Sequence, residues 1–383
     1  MYKTAFRILF VMAVIVMLSG QAFASQASDS INSFAFNAGK ILAGQPGSFF
    51  FSPFSIISAF GMVYSGAAGE TAKELESSLG FSPEIHESLG DLVRSINDTR
   101  AVSSANRVWL KEGLTLRDDF RNTLSLNYNS KAQEMDFKGN NAGAKREINS
   151  WVSKQTRGKI QDLIQSLNPD TRMILTNAIY FNAKWQDKFS KKKTSLEPFY
   201  YDGEKYREVS MMKQKNDFDY AEIDGTKIIR LPYDGERFSM IAVLPPAEGD
   251  IELNAEIFSG WLRSLRRYDV DLWLPKFKTE KRYELKDLCK ALGIKLAFTN
   301  FADFSGITDD ENLKVDSVIH QTFIDVDEEK TEAAAATAVV MLKATAMPKR
   351  NPKAEFHADR PFLFFIADNW NETILFMGRQ TFE

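Results

Sequence analysis

DEEKTEAAAATAVVMLKATAMPKRNPKAEFHADR, residues Asp327–Arg360, is the stretch whose reading settles the rest of the chain. An acidic step, Asp327-Glu328-Glu329, leads through Lys330, Thr331 and Glu332 into Ala333, Ala334, Ala335 and Ala336, then Thr337. Val339, Val340, Met341 and Leu342 follow, and a polar tail holds Pro348 and Pro352. Two backbone readings fit. Alanine is the best helix former, so Thr331–Lys343 reads as a helix capped by Thr331. At a period of two the same residues read as a strand. Thr331, Ala333, Ala335, Thr337, Val339 and Met341 then make one face, and Glu332, Ala334, Ala336, Ala338, Val340 and Leu342 the other. The first face is small and mostly apolar. Such a strip fits between two existing strands without striking the helices packed over them.

The order of this segment resembles the reactive loop of the serpin family. Glu328, Glu329, Thr331, Glu332 and Ala333–Ala336 match the family's hinge, and FHADRPFLFFI at Phe356–Ile366 matches its C-terminal signature. Two motifs in this order are specific where an alanine run alone is not. Upstream, FSPFSI at Phe51–Ile56 and GAAGET at Gly66–Thr71 are similar to the helix behind the family's main sheet. ANRVW at Ala105–Trp109 resembles a sheet element, and Ile148–Val152 with Thr156–Ile160 resembles the helix lying across the sheet's front. The implied fold is α+β, with three β-sheets, about eight to nine helices and an exposed loop at about 328–355 able to insert into the main sheet.

Composition agrees with a globular, exported chain. It has 383 residues, 44% hydrophobic and 26% charged, enough to bury a large core. A net charge of −3 provides no field to recruit nucleic acid or an anionic membrane. The basic triplet Lys191–Lys193 reads as a solvated loop, with a glycan patch as the alternative. Lys3 and Arg7, the apolar run Ile8–Leu18 and the A-x-A site Ala22-Phe23-Ala24 make a cleavable signal peptide over 1–24. Cleavage after Ala24 leaves 383 − 24 = 359 residues, one domain over 25–383, secreted or periplasmic. With Cys289 alone, an intramolecular disulfide is impossible, and Cys289 reads as a small core residue.

Periodicity predicts helices at Ser30–Gly44, Ser55–Gly66 with Ser55 as cap, Thr71–Leu79, Ala144–Ile164 and Leu285–Leu296. It predicts strands at Ser48–Phe54, Val102–Leu110, Arg172–Trp185, Ile228–Tyr233, Phe238–Pro245, Val318–Val326, Phe362–Ile366 and Ile374–Gly378. Val270, Leu272 and Leu274 alternate in a further strand that ends at Pro275-Lys276-Phe277.

No contiguous catalytic motif stands in the sequence, which leaves only a non-contiguous Ser/His/Asp arrangement open. The three histidines are His86, His320 and His357, with no H-E-x-x-H, G-x-S-x-G or glycine-rich phosphate loop. Ser190-Lys-Lys-Lys193 matches S-x-x-K in form only, without its partner motifs. No enzyme, metal or cofactor is expected. The resemblance places His320 with Ser52, Ser55 and Asn177 in the shutter that holds the main sheet closed, and Trp185 in the breach where the hinge enters. The plain alternative for His320 is a satisfied core histidine.

The resemblance implies an irreversible suicide-substrate inhibitor of serine proteases, with cysteine proteases as a further class, acting as a monomer. Counting seventeen residues from Glu328 puts the bait bond at Ala344–Thr345, suited to an elastase-like or subtilisin-like enzyme. A one-residue shift gives Lys343–Ala344 and a trypsin-like target. Met347 and Arg350 are further cut sites in a long loop. Lys330 stands where the family's inhibitory hinge carries glycine, and this departure motivates the alternative of a non-inhibitory binding or chaperone-like serpin.

Overall fold

The computed structural model describes residues 26–247, 252–331 and 351–383. Among them are eight α-helices, a five-stranded sheet, a nine-stranded sheet and a two-stranded pairing. The signal segment and its cut, hinge residues Glu332–Thr337, and bait residues Lys343, Ala344 and Thr345 lie outside the described residues.

The five-stranded sheet runs Phe277–Glu284, Ser317–Val326, Met173–Phe181, Val102–Lys111, Gln133–Met135. Its central strand, MILTNAIYF, is buried at all nine positions. That is the pattern of a β-branched and aromatic run covered on both faces. One face rests on the main core, which includes the wholly buried helix Pro53–Tyr64. The other carries a second core. There Trp109, Ile174, Tyr180 and Phe323 meet Ile148 and Val152 of helix Asn141–Gln155, with Ile160, Leu163 and Ile164 beyond it. The nine-stranded sheet includes the C-terminal strands Phe362–Asp368 and Thr373–Gln380 and ends at Lys353–His357, which pairs in parallel with Arg266–Pro275.

Several boundaries differ from the periodic reading, each for a local reason. The second helix starts at Pro53, not Ser55. Ser52 is its cap, accepting the Ser55 N–H at 3.1 Å, and Pro53 supplies a preset φ in the first turn. The helix expected to reach Ile164 stops at Gln155, because Arg157 (φ 53°) and Gly158 (φ 77°) turn left-handed. Ile160, Leu163 and Ile164 still face the sheet, held by Asn149, whose side chain accepts from Ile164 N at 2.8 Å and donates to Ile164 O at 2.9 Å. The helix expected over Leu285–Leu296 is only Lys286–Ala291, since Gly293 (φ 103°) breaks it. The strand expected to run through Trp185 divides, with Met173–Phe181 and Ala183–Lys184 paired to different partners.

Candidate functional site

The two central strands of the five-stranded sheet, Met173–Phe181 and Ser317–Val326, run parallel, in register from Ile174 opposite Ser317 to Tyr180 opposite Phe323. Parallel ladders are slightly weaker per residue than antiparallel ones. This seam is the pairing an added strand would part.

Midway along it, Asn177 lies directly opposite His320. Both are fully buried, as are Ser52 and Ser55 at the start of helix Pro53–Tyr64. The Ser52 backbone N–H donates to His320 Nε2 at 3.0 Å, so the ring proton sits on Nδ1 and donates to Asn177 Oδ1. Asn177 Nδ2 donates to the Ser55 carbonyl and to Asn106 Oδ1 at 2.7 Å. Ser55 Oγ donates to the same Asn106 oxygen at 3.0 Å, and Ser52 Oγ donates to Leu375 O at 2.6 Å. Burial pushes the His320 pKa down to about 3, against a smaller opposing effect of its bond to Asn177. The imidazole is therefore neutral, which is the form this network requires. The resemblance did not name Asn106. It faces Asn177 from the neighbouring strand Val102–Lys111, and only the cross-strand register brings it in.

The upper end of the seam is built differently. Past Val326 the chain turns through Asp327–Glu329 and forms a two-stranded pairing just above the sheet. Lys330 and Thr331 pair antiparallel with Lys184 and Ala183. Trp185, buried and stacked on Tyr233 (centroids 4.6 Å, 11° between planes), donates Nε1–H to the Asp327 carbonyl at 2.8 Å. Glu328 is buried to 4% exposure. Its carboxylate meets Lys276 Nζ at 2.7 Å and accepts from Thr194 Oγ1 at 2.8 Å, while its carbonyl accepts from Phe189 N at 2.9 Å. Burial opposes the charge on Glu328, yet the Lys276 ammonium and the Thr194 hydroxyl outweigh it and hold the carboxyl below its ordinary pKa. Glu329 pairs with Lys191 of the basic triplet at 2.6 Å. Lys191 stands out in the sequence only as part of a basic triplet, Thr194 and Lys276 carry no motif, and each is at least 52 residues from its partner.

Among the described residues, the other reactive side chains stand apart from one another. Burial pushes the Cys289 thiol up. His86, with its pKa pushed down to about 4 by burial, bonds Tyr128 OH at 2.8 Å. His357 stands beside Trp273 and 3.5 Å from Glu197. Among the described residues no three His, Cys, Asp or Glu side chains gather as metal ligands, and no helix is long and apolar enough to cross a membrane.

Residues 29–381 match the family profile described as serpin (serine protease inhibitor). Over 364 residues the chain is 41% identical to an uncharacterized serpin-like protein of Thermococcus kodakarensis, covering 92% of this chain and 84% of that one. Over 352 residues it is 37% identical to the leukocyte elastase inhibitor of Bos taurus, covering 87% and 92%. Among solved structures, human thyroxine-binding globulin in complex with thyroxine aligns with a TM-score of 0.83 at 30% identity, covering 93% of this chain and 98% of that one. A tumour-suppressing serpin aligns with a TM-score of 0.84 at 26% identity, covering 94% and 100%. With a seam bridged by neutral side chains, a hinge start paired with Ala183–Lys184 at the top of that seam and a profile match across nearly its whole length, this chain belongs to the serpin family.

Proposed function

We propose that this chain is an exported suicide-substrate inhibitor of serine proteases, with the leader 1–24 removed on export and the remainder acting as one domain. The protease serine Oγ attacks the bait carbonyl, Ala344 in the favoured register. An ester forms, the C–N bond to Thr345 breaks, and the new amine takes its proton from the enzyme's own histidine. The freed hinge then inserts down the seam and carries the acyl-enzyme with it before water can cleave the ester. The chain itself performs no catalysis.

The observation that carries this reading is the pairing of Lys330–Thr331 with Ala183–Lys184. Its direction is the one a strand between Met173–Phe181 and Ser317–Val326 would need, antiparallel to both. Continuing it replaces one parallel pairing with two antiparallel ones. About twelve added strand residues, at roughly 0.5–1.5 kcal/mol net per hydrogen bond, give on the order of 10 kcal/mol. That rivals the whole stability of an ordinary domain, so the uncut form is held kinetically. Small side chains at Ala333–Ala336 suit a seam covered by helices on both faces. Lys330, the departure from glycine, already lies within the paired segment opposite Lys184.

Alanine before the bond suits an elastase-like or subtilisin-like enzyme, and the likeness to an elastase inhibitor supports that choice. Cleavage at Lys343–Ala344 instead would mark a trypsin-like target. The likeness to thyroxine-binding globulin supports a second reading, a non-inhibitory binding serpin. Mixing the chain with elastase, subtilisin and trypsin on a denaturing gel separates them. The expected result is a covalent band and a released peptide beginning at Thr345. Cleavage with no covalent band from any of the three sinks the inhibitory reading.

A further inference from the structure

Seven large apolar side chains are exposed among the described residues, and three of them, Leu196, Tyr200 and Tyr206, lie on one hairpin. Its strands are Ser195–Asp202 and the start of Lys205–Ile223. Leu196 is opposite Ser210, Pro198 opposite Glu208 and Tyr200 opposite Tyr206. Residues directly opposite share a face, so these side chains form one outward strip, while Phe199 points in and is fully buried. The Tyr200 and Tyr206 rings are 5.9 Å apart, and Leu196, Tyr206 and Tyr200 are 65%, 58% and 42% exposed. Single exposed apolar residues are ordinary; a cluster marks a contact surface.

This hairpin and the turn leading into it are fastened to both roots of the bait segment. On the upstream side Lys191 holds Glu329 at 2.6 Å and Thr194 donates to Glu328 at 2.8 Å. On the downstream side Tyr200 N donates to Asp359 O at 2.7 Å, and Glu197 lies 3.5 Å from His357. The reach of the chain sets a limit. Ala344 is 351 − 344 = 7 residues from Asn351, at most about 25 Å when fully extended. A protease of about 220 residues has a radius of gyration of roughly 17 Å, hence a body about 40 Å across. Engaged on that bond, the rim of its cleft comes within reach of the loop's roots and of the strip between them.

We infer that Leu196, Tyr200 and Tyr206 form a docking surface for the target protease, engaged before the bait bond is cut. Tyrosine suits the task, because it offers a large contact area at small entropic cost and is enriched at binding hot spots. The inference rests on the inhibitory reading above and adds a step that reading does not require.

The test uses the full chain, elastase and subtilisin, and the catalytically dead serine-to-alanine form of each enzyme. A Leu196→Ser/Tyr200→Ser/Tyr206→Ser variant is expected to form covalent complex about 10–100-fold more slowly and to bind the dead enzymes more weakly by the same factor. The fraction of cuts ending in complex and the melting temperature stay unchanged, since none of the three side chains is in the core. A Leu126→Ser/Phe301→Ser variant, which removes exposed apolar groups elsewhere, keeps the parent's rate and affinity. Equal rates and affinities for parent and triple variant overturn the docking surface and leave the trap intact, as does a parent that binds neither dead enzyme. A parent that is cut without being trapped, yet loses affinity for the dead enzymes in the triple variant, overturns the trap and keeps the surface.

Discussion

One seam is closed at two places by opposite chemistry. At its middle, Ser52, Ser55, Asn177 and His320 are all fully buried and uncharged. At its top, the hinge is held by ion pairs that water reaches. The Lys276 side chain is 36% exposed against a buried Glu328, and Lys191 and Glu329 are exposed at 67% and 39%. Water competes for the upper contacts and is excluded from the middle ones. On the proposed function, the top is the part that yields first and the middle decides whether a strand passes. The trap proposed above needs this order: a hinge loose enough to start, and a lock stiff enough to keep the uncut sheet closed.

The sharpest way to break the comparison is to cut the loop once, between 343 and 350, and melt the product. If the seam is a place kept for a strand, the freed hinge leaves its upper anchors and fills the middle. A gain on the order of 10 kcal/mol then raises the melting temperature of a chain this long by roughly 13 °C. Calorimetry on cut and uncut chains reads it. A cut chain that melts no later than the uncut one means that neither end was guarding anything.

Next in size is the neutral lock. Asn177→Ala removes the acceptor for His320 Nδ1–H and the donor to Asn106 and Ser55 together. Stranding several buried polar groups is expected to cost the uncut chain about 2–4 kcal/mol in urea unfolding. Asn177→Ala and His320→Ala combined should cost less than the sum of the two, because each already empties the other's bond. Additive costs would mean the two residues do not act as one lock.

The residues at the middle of the seam are legible in the sequence through resemblance, the charged anchors at its top are not, and the difference has identifiable physical causes. The hinge and the C-terminal signature are contiguous, so the sequence carries them openly. The resemblance names Ser52, Ser55, Asn177 and His320, and the structure brings them into one cluster, through the side chains of Ser55, Asn177 and His320 and through the Ser52 and Ser55 backbone N–H groups. Asn106 stayed hidden because only the pairing of Val102–Lys111 with Met173–Phe181 aims it at the cluster. The upper anchors stayed hidden because Lys276 and Thr194 reach Glu328 across 52 and 134 residues. Helical spacing misled at Ile160, Leu163 and Ile164, which line the same core without continuing the helix. The strand Phe277–Glu284 went unread because Lys278, Glu280, Lys281 and Arg282 crowd an edge strand with charge, a common protection for edges.

Acid sharpens the comparison further. His320 takes up a proton near its ordinary 6.5 in the unfolded chain, but only near 3 in the folded one. The unfolded state thus binds more protons between these values. The stability from neutral His320 is complete above pH 6.5 and is lost as pH falls toward 3, at about 1.4 kcal/mol per unit. From pH 7 to pH 5 this amounts to about 2 kcal/mol. His86, lowered to about 4, slopes the same way, so the discriminating measurement is a difference. Urea unfolding of the parent and of His320→Gln at both pH values should show a shallower loss in the variant by one histidine's share. Equal slopes would assign the acid sensitivity to the His86 packing and away from the seam.

The smallest effects belong to the top, and they separate its two ion pairs. Lys276→Met leaves the Glu328 carboxylate buried with Thr194 as its remaining side-chain partner. A buried charge stripped of its partner is costly, but the exposed part of Lys276 means water already screens the pair, so the expected loss is about 1–2 kcal/mol. Because this contact holds the residue two positions before the Lys330–Thr331 pairing, the variant should also convert more readily, without protease, to a heat-stable inserted form. Lys191→Ala, which removes a pair exposed on both sides, should leave stability unchanged. In 1 M salt the parent should move toward Lys276→Met, while the stability difference between the parent and Asn177→Ala stays fixed, since salt screens charges and not neutral buried bonds. If Lys276→Met matches the parent in stability and in salt response, charge does not hold the hinge, and the two ends of the seam close by the same means after all.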